Sequence, residues 1–132
     1  MKKAVTVAVV EDHPIVRQCT TFRLSLLGYS VIFEAENGKE LLEYLDESIA
    51  PDVCLLDINM PVMNGFETIR PLKRKWPNMK VVFLSMHNEC CYRQKAMQLG
   101  ADGFMTKDAS FKELEATLIK LLHKEQIAVA AV

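Results

Sequence analysis

Five residues in this sequence could do chemistry together: Glu11, Asp12, Asp57, Ser85 and Lys107. Each stands at the end of a short apolar run. Glu11 and Asp12 follow Ala4–Val10, Asp57 follows Asp52–Leu56, Ser85 follows Lys80–Leu84, and Lys107 comes just after Gly103–Met105. If those runs are parallel strands of one sheet, three carboxylates converge in a shallow pocket, because ligands collect beyond the carboxyl ends of such strands. A hydroxyl and a flexible cation would then flank Asp57 on the side opposite the other acids. Mutual repulsion raises at least one carboxylate pKa unless a cation compensates. Mg²⁺ suits such a place, since it takes oxygen ligands, keeps several waters and bridges carboxylates to phosphate. These are the parts of phosphoryl transfer: a carboxylate nucleophile, a metal and an ammonium for the transferring oxygens, and a hydrogen-bond donor. Singly, each residue reads as a solvated loop acid, an ordinary strand-end serine or a surface lysine. Only their joint placement points to chemistry.

The elements that must position them are legible as two alternating periodicities. Continuous apolar, β-branched runs at β1 (Ala4–Val10), β2 (Ser30–Glu34), β3 (Asp52–Leu56), β4 (Lys80–Leu84) and β5 (Gly103–Met105) suit strands buried on both faces of a parallel sheet. Between them lie segments of helical spacing. In α1, Ile15, Cys19, Phe22 and Leu26 step by four, three and four along one face, Pro14 sits in the first turn and Gly28 follows the end. A second helix, α2, spans roughly Lys39–Glu47 and carries Leu41, Leu42 and Leu45. α3 runs from about Phe66 to Lys75 with Ile69, Leu72 and Trp76 inward, and Pro71 should kink it or delay its regular start. α4, about Glu89–Leu99, has Arg93 and Gln94 mid-helix and a thin stripe of Tyr92, Ala96, Met97 and Leu99, so it is the most weakly anchored. α5 opens on a capping box, Ser110-Phe111-Lys112-Glu113, followed by a stripe of Phe111, Leu114, Leu118 and Leu121. Strands and helices in strict alternation imply right-handed crossovers and an α/β doubly wound sheet of flavodoxin-like (βα)5 type, with strand order 2-1-3-4-5.

The chain has 132 residues, half of them apolar and a quarter charged, which fits one compact domain with a core at about 4–123. Residues 124–132 read as a C-terminal tail or a linker stub. A formal net charge of −1 gives no reason to expect direct nucleic-acid binding or attraction to an anionic membrane. The apolar run after Met1-Lys2-Lys3 is broken by Glu11 and Asp12 too soon for a signal peptide or membrane span. Cys19, Cys54, Cys90 and Cys91 show no CxxC spacing, so free thiols in a reducing cytoplasm are expected.

The segments Val9-Val10-Glu11-Asp12-His13-Pro14, Leu55-Leu56-Asp57-Ile58-Asn59-Met60-Pro61-Val62-Met63-Asn64-Gly65, Leu84-Ser85-Met86-His87 and Gly100-Ala101-Asp102-Gly103-Phe104-Met105-Thr106-Lys107 together resemble bacterial response-regulator receiver domains. The resemblance spans about residues 4–123, and around Ser85 and Lys107 it is most similar to the NarL/LuxR-type subfamily. It implies that Asp57 is the phosphoacceptor for a histidine kinase or phosphotransfer protein in a two-component phosphorelay. Asp12 would be a direct Mg²⁺ ligand, Glu11 a ligand through water, and the Asn59 backbone carbonyl a further ligand, with Mn²⁺ able to substitute. Ser85 and Lys107 would hold the phosphoryl oxygens, and Ser85 and Phe104 would form the switch. Asn59 and His87 would tune the access of hydrolytic water. The output would be a changed α4-β5-α5 surface that controls an effector, a partner or a homodimer, with transcription as the expected output. Such a domain is a signalling device, with at most self-catalysed phosphorylation and dephosphorylation.

Many receivers carry proline after the lysine, with a cis bond. Here Asp108 follows Lys107, and a non-proline cis bond costs about 2.5–4 kcal/mol, so the isomer stays open. Rival readings are weaker. A flavodoxin-type cofactor site needs a phosphate loop after β1, where Glu11-Asp12-His13-Pro14 would repel the anion. A P-loop motif is absent from the sequence. A receiver-like interaction module that works without phosphorylation would be expected to lack part of the acidic set, which is complete here.

Overall fold

In the computed structural model, which describes residues 4–45, 49–86 and 90–130, with side chains described up to residue 122, strands and helices alternate along the chain. The strands are β1 (Thr6–Val10), β2 (Ser30–Ala35), β3 (Val53–Asp57), β4 (Lys80–Ser85) and β5 (Gly103–Thr106). The helices are α1 (Pro14–Leu26), α2 (Gly38–Tyr44), α3 (Gly65–Lys75), α4 (Cys90–Gln98) and α5 (Phe111–Ala130). All strand pairs are parallel, in the order β2-β1-β3-β4-β5. This is the flavodoxin-like arrangement expected.

The continuous apolar runs are explained by burial on both faces. Ala8, Val10, Cys54, Leu56, Val81 and Phe83 face one layer, packed with Leu41 of α2, Ile69 and Leu72 of α3 and Ala96 of α4. Their alternates Val7, Val9, Val53, Leu55, Val82 and Leu84 face the other, with Leu24 of α1 and Leu114 and Leu118 of α5. Successive strand side chains point to opposite faces, so each run feeds two cores.

Local chemistry fixes the helix ends. α1 stops in a Schellman motif: Gly28, at φ 90°, donates to the Ser25 carbonyl while Tyr29 N–H reaches the Leu24 carbonyl. α3 begins with a capping box in which Asn64 Oδ1 accepts from Glu67 N–H at 2.9 Å and Glu67 Oε1 accepts from Asn64 N–H at 3.0 Å. α5 shows one half of its expected box, Glu113 N–H donating to Ser110 Oγ at 3.2 Å.

Several expectations need correction. The Ile15-Cys19-Phe22-Leu26 face of α1 is not its core face: Ile15 is 76% exposed, Phe22 65% and Leu26 62%, and Cys19 is exposed as well. α1 is held instead by Leu24, with Leu27 partly buried behind it. Phe111 likewise points outward, leaving Leu114, Leu118 and the partly buried Leu121 as the α5 anchor. Pro71 neither delays nor ends α3, which starts at Gly65 and runs through it to Lys75. α2 ends at Tyr44, and its expected last residues, Asp46 and Glu47, lie outside the described residues, as does Glu89 at the expected start of α4. The backbone of α5 continues to Ala130, across most of the segment read as a tail. The Lys107–Asp108 bond is trans, because the described residues contain no cis peptide. No helix among the described residues is long and apolar enough to cross a membrane.

The loop from β3 to α3 carries one unfavourable conformation. Val62 has φ 69°, the left-handed region, where a β-branched residue is rare and costs roughly 1–2 kcal/mol. Its side chain is exposed and fills no packing space. Val62→Gly should therefore raise stability by about 0.5–1 kcal/mol after the entropic cost of glycine, read from the urea midpoint. An unchanged or lowered midpoint would show that the loop relaxes around valine at no cost.

Candidate functional site

Strand register brings the chemical residues to one end of the sheet. Val10 pairs with Leu56, so Glu11 and Asp57 are the next residues along neighbouring strands. Asp57 pairs with Leu84, which places Ser85 one step beyond, and Ser85 pairs with Thr106, which places Lys107 one step beyond that. Backbone bonds hold the exits: Glu11 N–H to the Ala35 carbonyl at 2.9 Å, Ile58 N–H to the Leu84 carbonyl at 3.3 Å, and Lys107 N–H to the Ser85 carbonyl at 2.8 Å. Gly65 lets α3 start close by, since a Cβ there would lie 2.4 Å from the Asp57 carbonyl oxygen. A side chain at that position would push α3 away from the site.

Carboxylate oxygens of Glu11, Asp12 and Asp57 lie within 4.8 Å of one another. Glu11 and Asp57 are each only 1% exposed. The Lys107 ammonium is 2.7 Å from Glu11 Oε1 and 3.1 Å from Asp57 Oδ2. Lys107 thus does not stand apart from the acids, as the sequence reading had it, but bridges two of them. Asp57 Oδ1 accepts from Asn59 N–H at 3.3 Å, and Glu11 Oε2 from His13 N–H at 3.3 Å. Ser85 is fully buried at the end of β4, and Asn59 is exposed. His87 lies outside the described residues.

Burial is the main reason that the Asp57 carboxyl is pushed up to about 7, with hydrogen bonding to Glu11 and the Glu11 charge adding to it and Lys107 opposing. For Asp12, burial pulls upward, but hydrogen bonding with Glu11, the charge of His13 and its own backbone bonds outweigh it, so its carboxyl stays below the usual range. Burial would lower Lys107, yet its bonds to Glu11 and Asp57 and their charges raise it, so the ammonium stays charged. Buried Asp12 Oδ1 has no hydrogen-bond partner. An all-oxygen donor set with one unsatisfied buried oxygen fits a hard divalent cation such as Mg²⁺.

Sequence reasoning missed two neighbours. Arg17 donates to the Glu11 backbone carbonyl at 2.7 Å and pairs with Glu34 at 3.5 Å, clamping the end of β1 from α1. Arg93 covers the ring of Phe104, itself 6% exposed, at 5.1 Å. Neither shows a sequence signal beyond being an arginine on a helix. Of the four cysteines, none is in a disulfide, and only Cys54 is buried, its thiol pushed up to about 12 by burial.

A doubly wound sheet with three acids, a lysine and a serine at its carboxyl ends defines a class of proteins, and the comparisons agree with it. Residues 7–119 match the response regulator receiver domain family, and the chain belongs to that family. It is 38% identical over 111 residues to the response regulator GacA of Pseudomonas aeruginosa, an alignment covering 83% of this chain and 51% of that protein. It is 37% identical over 120 residues to the nitrate/nitrite response regulator protein NarL of Escherichia coli, covering 90% of this chain and 53% of that one. The chain thus spans about half the length of these curated relatives. Among solved structures, the chemotaxis response regulator CheY4 of Vibrio cholerae superimposes with a TM-score of 0.81 at 28% identity, over 91% of this chain and 100% of that one. A LuxR-family DNA-binding response regulator from Staphylococcus aureus gives a TM-score of 0.80 at 28% identity, over 89% and 98% of the two chains. The chain is therefore a receiver domain of the kind found in two-component response regulators, a signalling domain rather than a conventional enzyme, with NarL/LuxR-type relatives.

The raised Asp57 pKa makes a stability prediction for metal-free protein. A carboxyl of raised pKa stabilises the fold while protonated, and that stability is lost as pH rises from the unfolded value near 4 through about 7. Asp57→Asn should leave stability little changed at pH 4 and exceed the parent by on the order of 2–4 kcal/mol at pH 8, in urea titrations with chelator present. A difference that does not grow with pH would show that Lys107 already neutralises the site.

Proposed function

We propose that this receiver accepts a phosphoryl group on Asp57 and uses it to switch a partner-binding surface. The observation that carries the reading is the Lys107 ammonium held between Glu11 and Asp57, beside an Asp12 oxygen that lacks a partner. An Asp57 oxygen attacks phosphorus in a phosphohistidine of a histidine kinase or phosphotransfer protein, forming an O–P bond as the N–P bond breaks and imidazole leaves. Lys107 takes up charge on the transferred oxygens, and the Ser85 hydroxyl donates to one of them. Asp12, Asp57 and the Asn59 carbonyl would hold Mg²⁺ or Mn²⁺ directly and Glu11 through water, and the ion would supply neutralisation of the phosphoryl charge.

Once Asp57 is phosphorylated, Ser85 moves toward the phosphoryl group and Phe104 fills the space it leaves. The buried ring of Phe104 is the position that phosphorylation favours, a shift of population rather than a new state. The surface of α4, β5 and α5 reads this out to an effector, a partner or a second copy. For a chain with NarL-type relatives about twice its length, a transcriptional output fits best. Asn59 and His87 tune the access of hydrolytic water and with it the lifetime of the acyl phosphate. All of this belongs to the cytoplasm, where such kinases present their phosphohistidine.

Incubation with acetyl phosphate and Mg²⁺ should add one phosphoryl group to the intact mass. Asp57→Asn should abolish the gain, and Lys107→Ala should slow it by about a hundredfold, the usual loss for one donor to a developing anion. A wild-type chain that stays unlabelled by acetyl phosphate and by its kinase would overturn the proposal.

A further inference from the structure

Helix α4 buries one residue, Ala96, while Tyr92 and Leu99 only lean against the core. An element so thinly anchored is positioned by its few remaining contacts. One of them, like that of Lys95 over the Phe66 ring at 4.8 Å, sets a cation over an aromatic ring. The Arg93 guanidinium lies over the Phe104 ring, 5.1 Å from its centroid, although Arg93 is exposed and Phe104 belongs to the core. Arg93 and Phe104 also line a cavity of about 400 Å³, bounded across α5 by Glu113 and Thr117. The Phe104 ring and Arg93 thus share one open face between α4 and α5, into which an outward ring could turn. A cation over an aromatic face is attracted by the ring quadrupole, so the contact favours whichever conformer keeps the ring beneath it.

We propose that Arg93 is a positioning residue, whose guanidinium holds the Phe104 ring in its buried place and thereby favours the conformation in which Asp57 accepts a phosphoryl group. The inference rests on the reading of Phe104 as the element that moves with Ser85. If buried Phe104 and phosphorylated Asp57 favour the same conformer, stabilising one stabilises the other by the same factor. Arg93 then acts on the reaction from α4 without touching the reacting atoms.

Two variants test it. Arg93→Met keeps the reach of the side chain and removes the charge, whereas Arg93→Lys keeps a cation. Two readouts are needed: aromatic NMR of the Phe104 ring in unphosphorylated protein, and the rate of labelling by acetyl phosphate with Mg²⁺. Arg93→Met should broaden or shift the ring signals toward an exposed conformer and slow labelling by about two- to five-fold, the range of a partly exposed cation–π contact. Arg93→Lys should recover part of both effects. Unchanged ring signals in Arg93→Met would overturn the positioning role, and a loosened ring with an unchanged rate would overturn the coupling. A wild type that does not label at all would instead strike the assignment of Asp57, while the ring signals still report on the contact.

Discussion

Two carboxylates almost wholly withdrawn from water, a third beside them and one ammonium between them make the tension on which this structure turns. Glu11 and Asp57 share Lys107, at 2.7 and 3.1 Å, and Asp12 adds a further negative charge. One cation cannot satisfy three anions, two of them buried, in a medium where charge interactions are strong. The surplus appears as an Asp57 carboxyl raised to about 7. Such a site gains by taking up positive charge.

The fold serves this convergence through register. Parallel strands β1 and β3 adjoin at the point where the strand order reverses, so their carboxyl ends open together. β4 and β5 each step one residue further, carrying Ser85 and Lys107 over the edge. The two-sided apolar sheet makes this arrangement rigid, since a slip of one residue would exchange its two buried faces. Away from the sheet, rigidity falls. α4 has a single buried residue, and its other contacts are peripheral, Tyr92 stacking on Phe66 and Arg93 lying over the Phe104 ring.

Much of this was legible in the sequence because strand burial writes itself as uninterrupted apolar runs. The strands, their order and the acids at their ends follow from those runs and from the alternation with helices. Helix faces were less legible. The α1 stripe of Ile15, Phe22 and Leu26 has good amphipathic spacing yet faces outward, because periodicity identifies a face without saying which side the core occupies. Phe111 misled in the same way. Lys107 was placed correctly along the chain and wrongly in space, since a long flexible side chain can reach across a pocket. The Asn64–Glu67 capping box was written in the sequence and overlooked. The left-handed Val62 carries no such signal, as valine is a residue that sequence reasoning would not place there.

The most direct test of the central claim is to titrate the Asp57 carboxyl itself by carbon-detected NMR, in chelated protein and again with Mg²⁺. The charge imbalance predicts a midpoint near 7 without metal, falling well into the ordinary carboxylate range when Mg²⁺ is added. A metal-free midpoint near 4, unmoved by Mg²⁺, would contradict it, because Lys107 would then balance the acids alone and the pocket would have no unmet charge for a cation to satisfy.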